Sequence, residues 1–298
     1  MGEETHQSVQ ELAASLGALP PEFVRSEHDQ PGVTTYRGAD APVIDMSDPG
    51  FGARMAVAAR EWGLFQVVNH GVPSAAVAEL QRVGRAFFAL PREEKERYAM
   101  DPASGKIEGY GTKLQRDLEG KKTWNDFFFH VVAPPEKVDH AVWPETVAVA
   151  GYREANEEYC RHMQRLTREL FEHLSLGLGL HEGAMAEAFG GDGLVFLHKG
   201  LQVFKNGHWY DAKYVPDALI VHIGDQIEIF SNGVYKAVLH RTTVNKEKTR
   251  MSWPVFVEPP GELVVGPHPK LVTDERPAKY KAKKYKDYQH CKINKLPM

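Results

Sequence analysis

Cysteine is scarce: Cys160 and Cys291 are the two in 298 residues. Two thiols supply no disulfide framework and fit a reducing compartment, the cytosol or the nucleus. No run approaches the ~20 apolar residues of a membrane-crossing helix. The N-terminal MGEETHQ lacks the apolar stretch of a secretory signal, and His6 stands where myristoylation needs Ser or Thr. Charge is nearly balanced, with 36 Lys and Arg against 40 Asp and Glu, a formal −4, so overall electrostatics draw the chain neither to nucleic acid nor to a membrane. Internal repeats are absent, and the lysine-rich tail is the only biased tract. What remains, 42% hydrophobic and 26% charged, is the composition of a globular chain long enough to bury a sizeable core.

Periodicity sorts the chain into a helical part followed by a stranded part. Val9, Leu12, Leu16 and Leu19 predict an amphipathic helix stopped by Pro20-Pro21, followed by an extended Pro/Gly-rich lead over 20–41. Short strands are expected at Pro42–Met46 and Leu64–Asn69, with a helix from about Gly52 to Trp62 between them. A helix N-capped by Ser74 buries Val77, Leu80, Val83, Phe87 and Phe88 and ends at Pro91; a charged helical stretch then runs from Arg92 to Tyr98. The longest helix covers 151–178, with Ala155, Tyr159, Met163, Leu166, Leu170 and Leu174 on one face, and a shorter one covers 181–189. From Leu201 the period becomes that of strands: Leu201–Lys205, Ala218–Ile223, Gln226–Phe230, Lys236–Val244 and Met251–Glu258, with hairpin turns at Asn206-Gly207 and Asn232-Gly233. Strands after a helical half predict an α+β fold with a jelly-roll-like sheet. The tail, Pro277 to Lys295, reads as an amphipathic helix on that sheet. Its lysines alternate with Tyr280, Tyr285 and Tyr288, a solvated helix face rather than a nucleic-acid surface.

Within the strands, His240 is followed by Arg250-x-Ser252 in the stretch YKAVLHRTTVNKEKTRMSWPVFVEPP. A lone strand histidine reads as structural. The surrounding residues say more. PVIDM (Pro42–Met46), EWGLFQVVNHGVP (Glu61–Pro73), EGYGTKLQ (Glu108–Gln115) and EGKKTWNDFFFH (Glu119–His130) resemble plant Fe(II)/2-oxoglutarate-dependent dioxygenases. Pro20-x-x-x-Val24-Arg25-x-x-x-Asp29-Gln30-Pro31, GYREANEEY (Gly151–Tyr159) and KYKAKKYKDY (Lys279–Tyr288) are similar to flavonol synthases within that group.

The resemblance implies a helical N-terminal region and a double-stranded β-helix core. It divides the chain into an N-terminal region at 1–150, a long helix and connector at 151–199, a truncated jelly-roll core at 200–262 and a helical tail at 263–298. It implies Fe(II), held by two histidines and a carboxylate that leave positions open for 2-oxoglutarate and oxygen, with ascorbate as an accessory. His240 matches the distal histidine, and Arg250 and Ser252 match the anchors of the 2-oxoglutarate carboxylate. For the flavonoid substrate, a dihydroflavonol, it points to Tyr110, Phe129, Lys199, Phe256 and Glu258. Phe127 departs from the pattern, which tends to carry histidine there.

The proximal His-x-Asp is missing. None of the 14 histidines has an acid two residues later. His208 and Asp211, and His222 and Asp225, occur in strands the family retains, where they do not bind the metal. LVFLHK (Leu194–Lys199) and GLQVFKNGHWYDAKYVP (Gly200–Pro216) match the flanks of the His-x-Asp region, so roughly three dozen residues expected from family length are absent between Lys199 and Gly200. The gap also removes strands from the sheet and exposes edges and apolar surface. The sequence therefore predicts an incomplete jelly roll with His240 as the surviving ligand and little or no oxygenase activity. The alternative is a non-catalytic flavonoid-binding or interaction protein that associates with intact enzymes of the pathway.

Overall fold

The structure, a computed structural model, describes residues 8–17, 20–24, 35–36, 40–101, 108–112, 124–190, 194–196, 202–205, 208–211, 215–241, 251–294 and 296. Helix α1 (Val9–Ser15) opens with a reciprocal cap between Ser8 and Glu11, and Asp126 accepts from the Val9 and Gln10 amides. After the short strand β1 (Thr35–Tyr36), strand β2 (Val43–Asp45) leads through helix α2 (Phe51–Glu61) into β3 (Leu64–Val68). This β-α-β unit makes β2 and β3 parallel. Helix α3 (Ser74–Phe88) begins with Pro73 as its cap residue, so Ser74 is the first helical residue rather than the N-cap that the sequence suggests. Proline fixes the extended entry there, and no side-chain cap bond forms.

Helix α4 (Arg92–Glu96) and the hairpin of β4 (Gly109–Thr112) with β5 (Asp126–Phe129) follow, and β6 (Val131–Ala133) leads toward the long helix α5 (Tyr152–Gly177). Along α5, Ala155, Tyr159, Leu166, Leu170 and Leu174 are buried as the apolar spacing requires. α5 packs against α2, α3 and helix α6 (Ala184–Phe189). Ser175 Oγ locks the α5–α6 turn, donating to the Phe171 carbonyl (2.7 Å) and accepting from the Met185 amide (3.1 Å).

The stranded part is split. β7 (Leu194–Phe196) joins β6 to the later β12 (Val255–Val257). β8 (Gln202–Lys205) and β9 (His208–Asp211) pair antiparallel with Lys205 opposite His208, β1 adds to β9, and β11 (His240–Arg241) adds to β8. β10 (Leu219–His222) lies antiparallel on β3. These sheets hold four, three and three strands, and two more are two-stranded; among the described residues no barrel closes. This is the α+β arrangement with an incomplete jelly roll that the sequence implies. Phe256 at 43% exposure and Ile220 at 38% lie on β12 and β10, and Leu239 at 63% just precedes β11.

Two expectations are corrected. Gln226–Phe230 is no strand but part of helix α7 (Asp225–Phe230), and Asn232-Gly233 is not a hairpin turn. Asn232 (φ 52°) and Gly233 (φ 75°) take left-handed conformations just past the end of α7. The buried Asn232 side chain then binds the C-terminal segment, donating to the Leu271 and Pro277 carbonyls and accepting from the Lys279 amide. A short amphipathic run between Gly224 and this turn satisfies helix and strand patterns alike. The other strands are shorter than expected, and of Lys236–Val244 the strand is His240–Arg241, with 242–250 outside the described residues. The tail forms β14 (Lys283–Lys284), which pairs with β13 (Val264–Val265), and then helix α8 (Tyr285–Ile293). Asn206-Gly207 lies outside the described residues.

Next to α5, His130 is 2% exposed, hydrogen-bonded to the Tyr152 phenol at 3.1 Å and set edge-on to Trp143. Burial pushes its pKa down from 6.5 to about 3. Between those values the unfolded chain takes up a proton that the folded chain refuses, so stability falls as pH drops through that window and is fully present above it. Replacing His130→Gln should flatten the pH dependence of the urea-unfolding free energy between pH 3 and 6.5 by up to about 1.4 kcal/mol per pH unit, with no change of slope above pH 7.

Candidate functional site

His240 sits on β11 opposite Val203 of β8, exposed to solvent. Its Nδ1 lies 3.2 Å from the Val238 carbonyl; a carbonyl only accepts, so Nδ1 carries the proton and Nε2 the lone pair. The neighbour of His240 is another imidazole. His222, at the end of β10 and paired with Leu64 of β3, places its ring centroid 4.9 Å from that of His240 with the planes tilted by 55°. His222 Nδ1 is sealed from solvent and has no hydrogen-bond partner. Burial, with a smaller contribution from His240, pushes the His222 pKa down to about 4, so this ring is neutral at pH 7.

Asp225, three residues on, turns its carboxylate toward the tail. It accepts from the Tyr288 phenol and from Lys292 Nζ at 2.5 Å. Burial alone would raise its pKa, but these two donors hold it below the usual carboxylate range. Glu258, just beyond β12, is also tied to α8, accepting from Gln289 Nε2 at 3.1 Å. Here burial dominates, and the carboxyl pKa is raised.

Ser252 is half-buried, and its Oγ is sealed from solvent with no hydrogen-bond partner. The next residue, Trp253, anchors this segment to α3. Its indole packs on Gly84, where a Cβ would meet Nε1 at 2.8 Å, and the Arg85 guanidinium carbon lies 5.7 Å from its ring. Trp253, Phe128, His130 and Tyr152 line a cavity of about 30 Å³ there.

Of the residues assigned to substrate, Tyr110 is buried on β4 beside Phe87 (6.0 Å) and Phe88 (6.3 Å), with Lys95 Nζ 5.7 Å above its ring. Burial pushes its phenol pKa up to about 12. Phe129 is half-buried at the end of β5 opposite Gly109. Phe256 is exposed on β12 in the same row as Val195 and Val131, two strands away from the segment that carries Phe129. Lys199 and Arg250 lie outside the described residues.

Iron in this type of site needs two histidines and a carboxylate converging from one side. Among the described residues no three His, Cys, Asp or Glu side chains converge to hold an ion. The residues present therefore do not fit the iron site. Ser252, matched in sequence to the 2-oxoglutarate anchor, has a buried hydroxyl without a hydrogen-bond partner. His222 is the residue whose place sequence reasoning missed: it and His240 lie on strands of two different sheets, and spacing along the chain carries no signal of how those sheets meet.

The model of the 2OG-Fe(II) oxygenase superfamily matches residues 189–259, and that of the N-terminal part of the non-haem dioxygenase in morphine synthesis matches 41–146. Among solved structures, JOX2 in complex with 2OG, Fe and JA is 31% identical with a TM-score of 0.84, over 96% of this chain and 93% of that one. The rice dioxygenase for auxin oxidation is 25% identical with a TM-score of 0.70, over 86% and 96%. The fold is thus that of a 2OG-Fe(II) oxygenase. Flavonol synthase 1 of Crocosmia x crocosmiiflora is 51% identical over 99% of both chains. A flavonol synthase/flavanone 3-hydroxylase of Petunia hybrida is 50% identical over 98% of this chain and 94% of its own. The chain belongs to the flavonol synthase family of plant 2-oxoglutarate- and Fe(II)-dependent dioxygenases. The Crocosmia alignment runs over 331 positions against 298 residues here, so at least 33 positions of that relative face no residue of this chain. No helix among the described residues is long and apolar enough to cross a membrane.

A sealed hydroxyl without a partner contributes no bond that alanine would lose. Ser252→Ala is expected to leave the unfolding free energy unchanged or raise it by up to about 1 kcal/mol in urea titration; a loss larger than that would mean that Oγ is bonded in solution.

Proposed function

We propose that this chain is a flavonol-synthase-type protein of flavonoid biosynthesis whose parent reaction, oxidation of a dihydroflavonol to a flavonol, it performs poorly or not at all. One observation carries the reading: no histidine in the 298 residues is followed two positions later by an acid, so His240 has neither of its partner ligands. A single imidazole neither fixes ferrous iron nor offsets its charge. 2-Oxoglutarate, no longer chelated, keeps the Arg250 guanidinium as an ion-pair partner and the Ser252 hydroxyl as a hydrogen-bond donor.

Flavonoid recognition is the part of the function that the remaining residues support. Phe129 and Phe256 offer aromatic surface, Tyr110 packs behind it in the core, Lys199 supplies a cation, and Glu258 a carboxyl of raised pKa suited to a phenolic hydroxyl. The protein is then a binding relative of the enzymes it descends from, acting on flavonoid availability or beside intact pathway enzymes rather than by turnover.

The test supplies the purified chain with ferrous iron, 2-oxoglutarate, ascorbate, oxygen and a dihydroflavonol, and measures succinate and flavonol by chromatography. Turnover is expected at least about 100-fold below that of a variant carrying a relative's missing segment between Lys199 and Gly200. Dihydroflavonol should still quench tryptophan fluorescence in both. Equal turnover by the two proteins would overturn the proposal, as would an absence of flavonoid binding.

A further inference from the structure

We infer that His222 and His240 form a two-imidazole site for a borderline divalent cation such as Zn²⁺, a cation class distinct from the ferrous iron of the family. The inference rests on the reading that the iron ligand set is incomplete. Its ground is geometry. Two imidazoles bound side by side to one ion at metal–nitrogen distances of about 2.0–2.1 Å have ring centroids roughly 4.5–5.3 Å apart for angles between octahedral and tetrahedral. The observed separation is 4.9 Å, with the planes tilted by 55° rather than stacked.

The hydrogen bonding of His240 also fits. Its Nδ1–H points to the Val238 carbonyl, so Nε2 presents a lone pair. Donation from the second ring nitrogen to a backbone carbonyl is the usual way a metal-binding histidine is oriented and made more basic. His222 Nδ1 is buried without a partner, a costly state for a ring nitrogen unless some ligand uses the ring.

Both rings are carried on paired backbone. His222 is held opposite Leu64, with the Ile223 amide donating to the Gly63 carbonyl at 2.9 Å. His240 is held opposite Val203, with the Phe204 amide donating to the Leu239 carbonyl at 2.8 Å. Asp225, close enough for His240 to act on its charge, offsets part of the cation's charge without being a ligand. With no third His, Cys, Asp or Glu converging among the described residues, water completes the coordination, reached from the exposed side of His240. Neutral imidazoles without a carboxylate favour zinc, nickel and copper over ferrous iron.

The experiment uses the full chain stripped of metal by a chelator and titrated calorimetrically with Zn²⁺ alone, with the histidine ring nitrogens followed by NMR. One equivalent should bind, shifting two imidazoles, and Fe²⁺ should bind at least tenfold more weakly. His240→Ala, which removes an exposed ring, should weaken Zn²⁺ at least tenfold while the thermal melt of the metal-free protein stays in place. His222→Gln should do the same to affinity, and His290→Ala, on the tail, should change nothing. Should His222→Gln not fold, His240→Ala together with the NMR shifts decides. Absence of stoichiometric Zn²⁺ binding, or binding untouched by His240→Ala, overturns the inference and leaves the proposed loss of iron chemistry standing. A visible charge-transfer band with Fe²⁺ and 2-oxoglutarate would instead overturn both.

Discussion

Strand β3 is the constraint on which the rest of the structure depends. Leu64, Phe65 and Val67 are fully buried, and both edges of the strand are used, parallel to β2 on one side and antiparallel to β10 on the other. It therefore joins the helical N-terminal region to what is left of the jelly roll. Its entry turn is equally tight. Gly63 has φ 68°, and a Cβ there would fall 2.3 Å from the Lys236 carbonyl, so glycine is required by both conformation and space. Its pairing of Leu64 with His222 also holds the backbone of the residue that stands beside His240.

A second tie runs from the stranded part to α5. Tyr235 is fully buried, and its hydroxyl donates to the Leu174 carbonyl at 2.8 Å while its amide donates to Ser231 Oγ at 3.0 Å. The core thus persists around the gap, since the helices and β3 bury one another without the missing strands. The cost is borne at the surface, where Leu239, Ile220 and Phe256 lie in the open. Exposed strand edges with apolar side chains invite association.

Fold and ligand motif are conserved to different degrees in this molecule. The fold of a 2OG-Fe(II) oxygenase is retained at a TM-score of 0.84 to JOX2, yet no histidine of the sequence is followed two positions later by an acid. Function lives in sites set on folds, so retention of the fold does not by itself retain the site. The carboxylates that remain nearby are committed to the tail: Asp225 to Tyr288 and Lys292, Glu258 to Gln289.

The long helix 151–178, the buried strand at Leu64 and the family itself were legible from apolar period and matching stretches, because these features are local or contiguous. The absence of His-x-Asp was legible too, and no tertiary arrangement alters it. Gln226–Phe230 was misread as a strand because five residues satisfy either period, and tertiary packing of α7 decides between them. Ser74 was misread as a cap because a preceding proline can hold the entry in its place. The sequence by itself determined the family, the α+β class and the absence of a His-x-Asp pair. Only the tertiary structure decided that His222 faces His240, because that approach depends on how two separate sheets pack against each other.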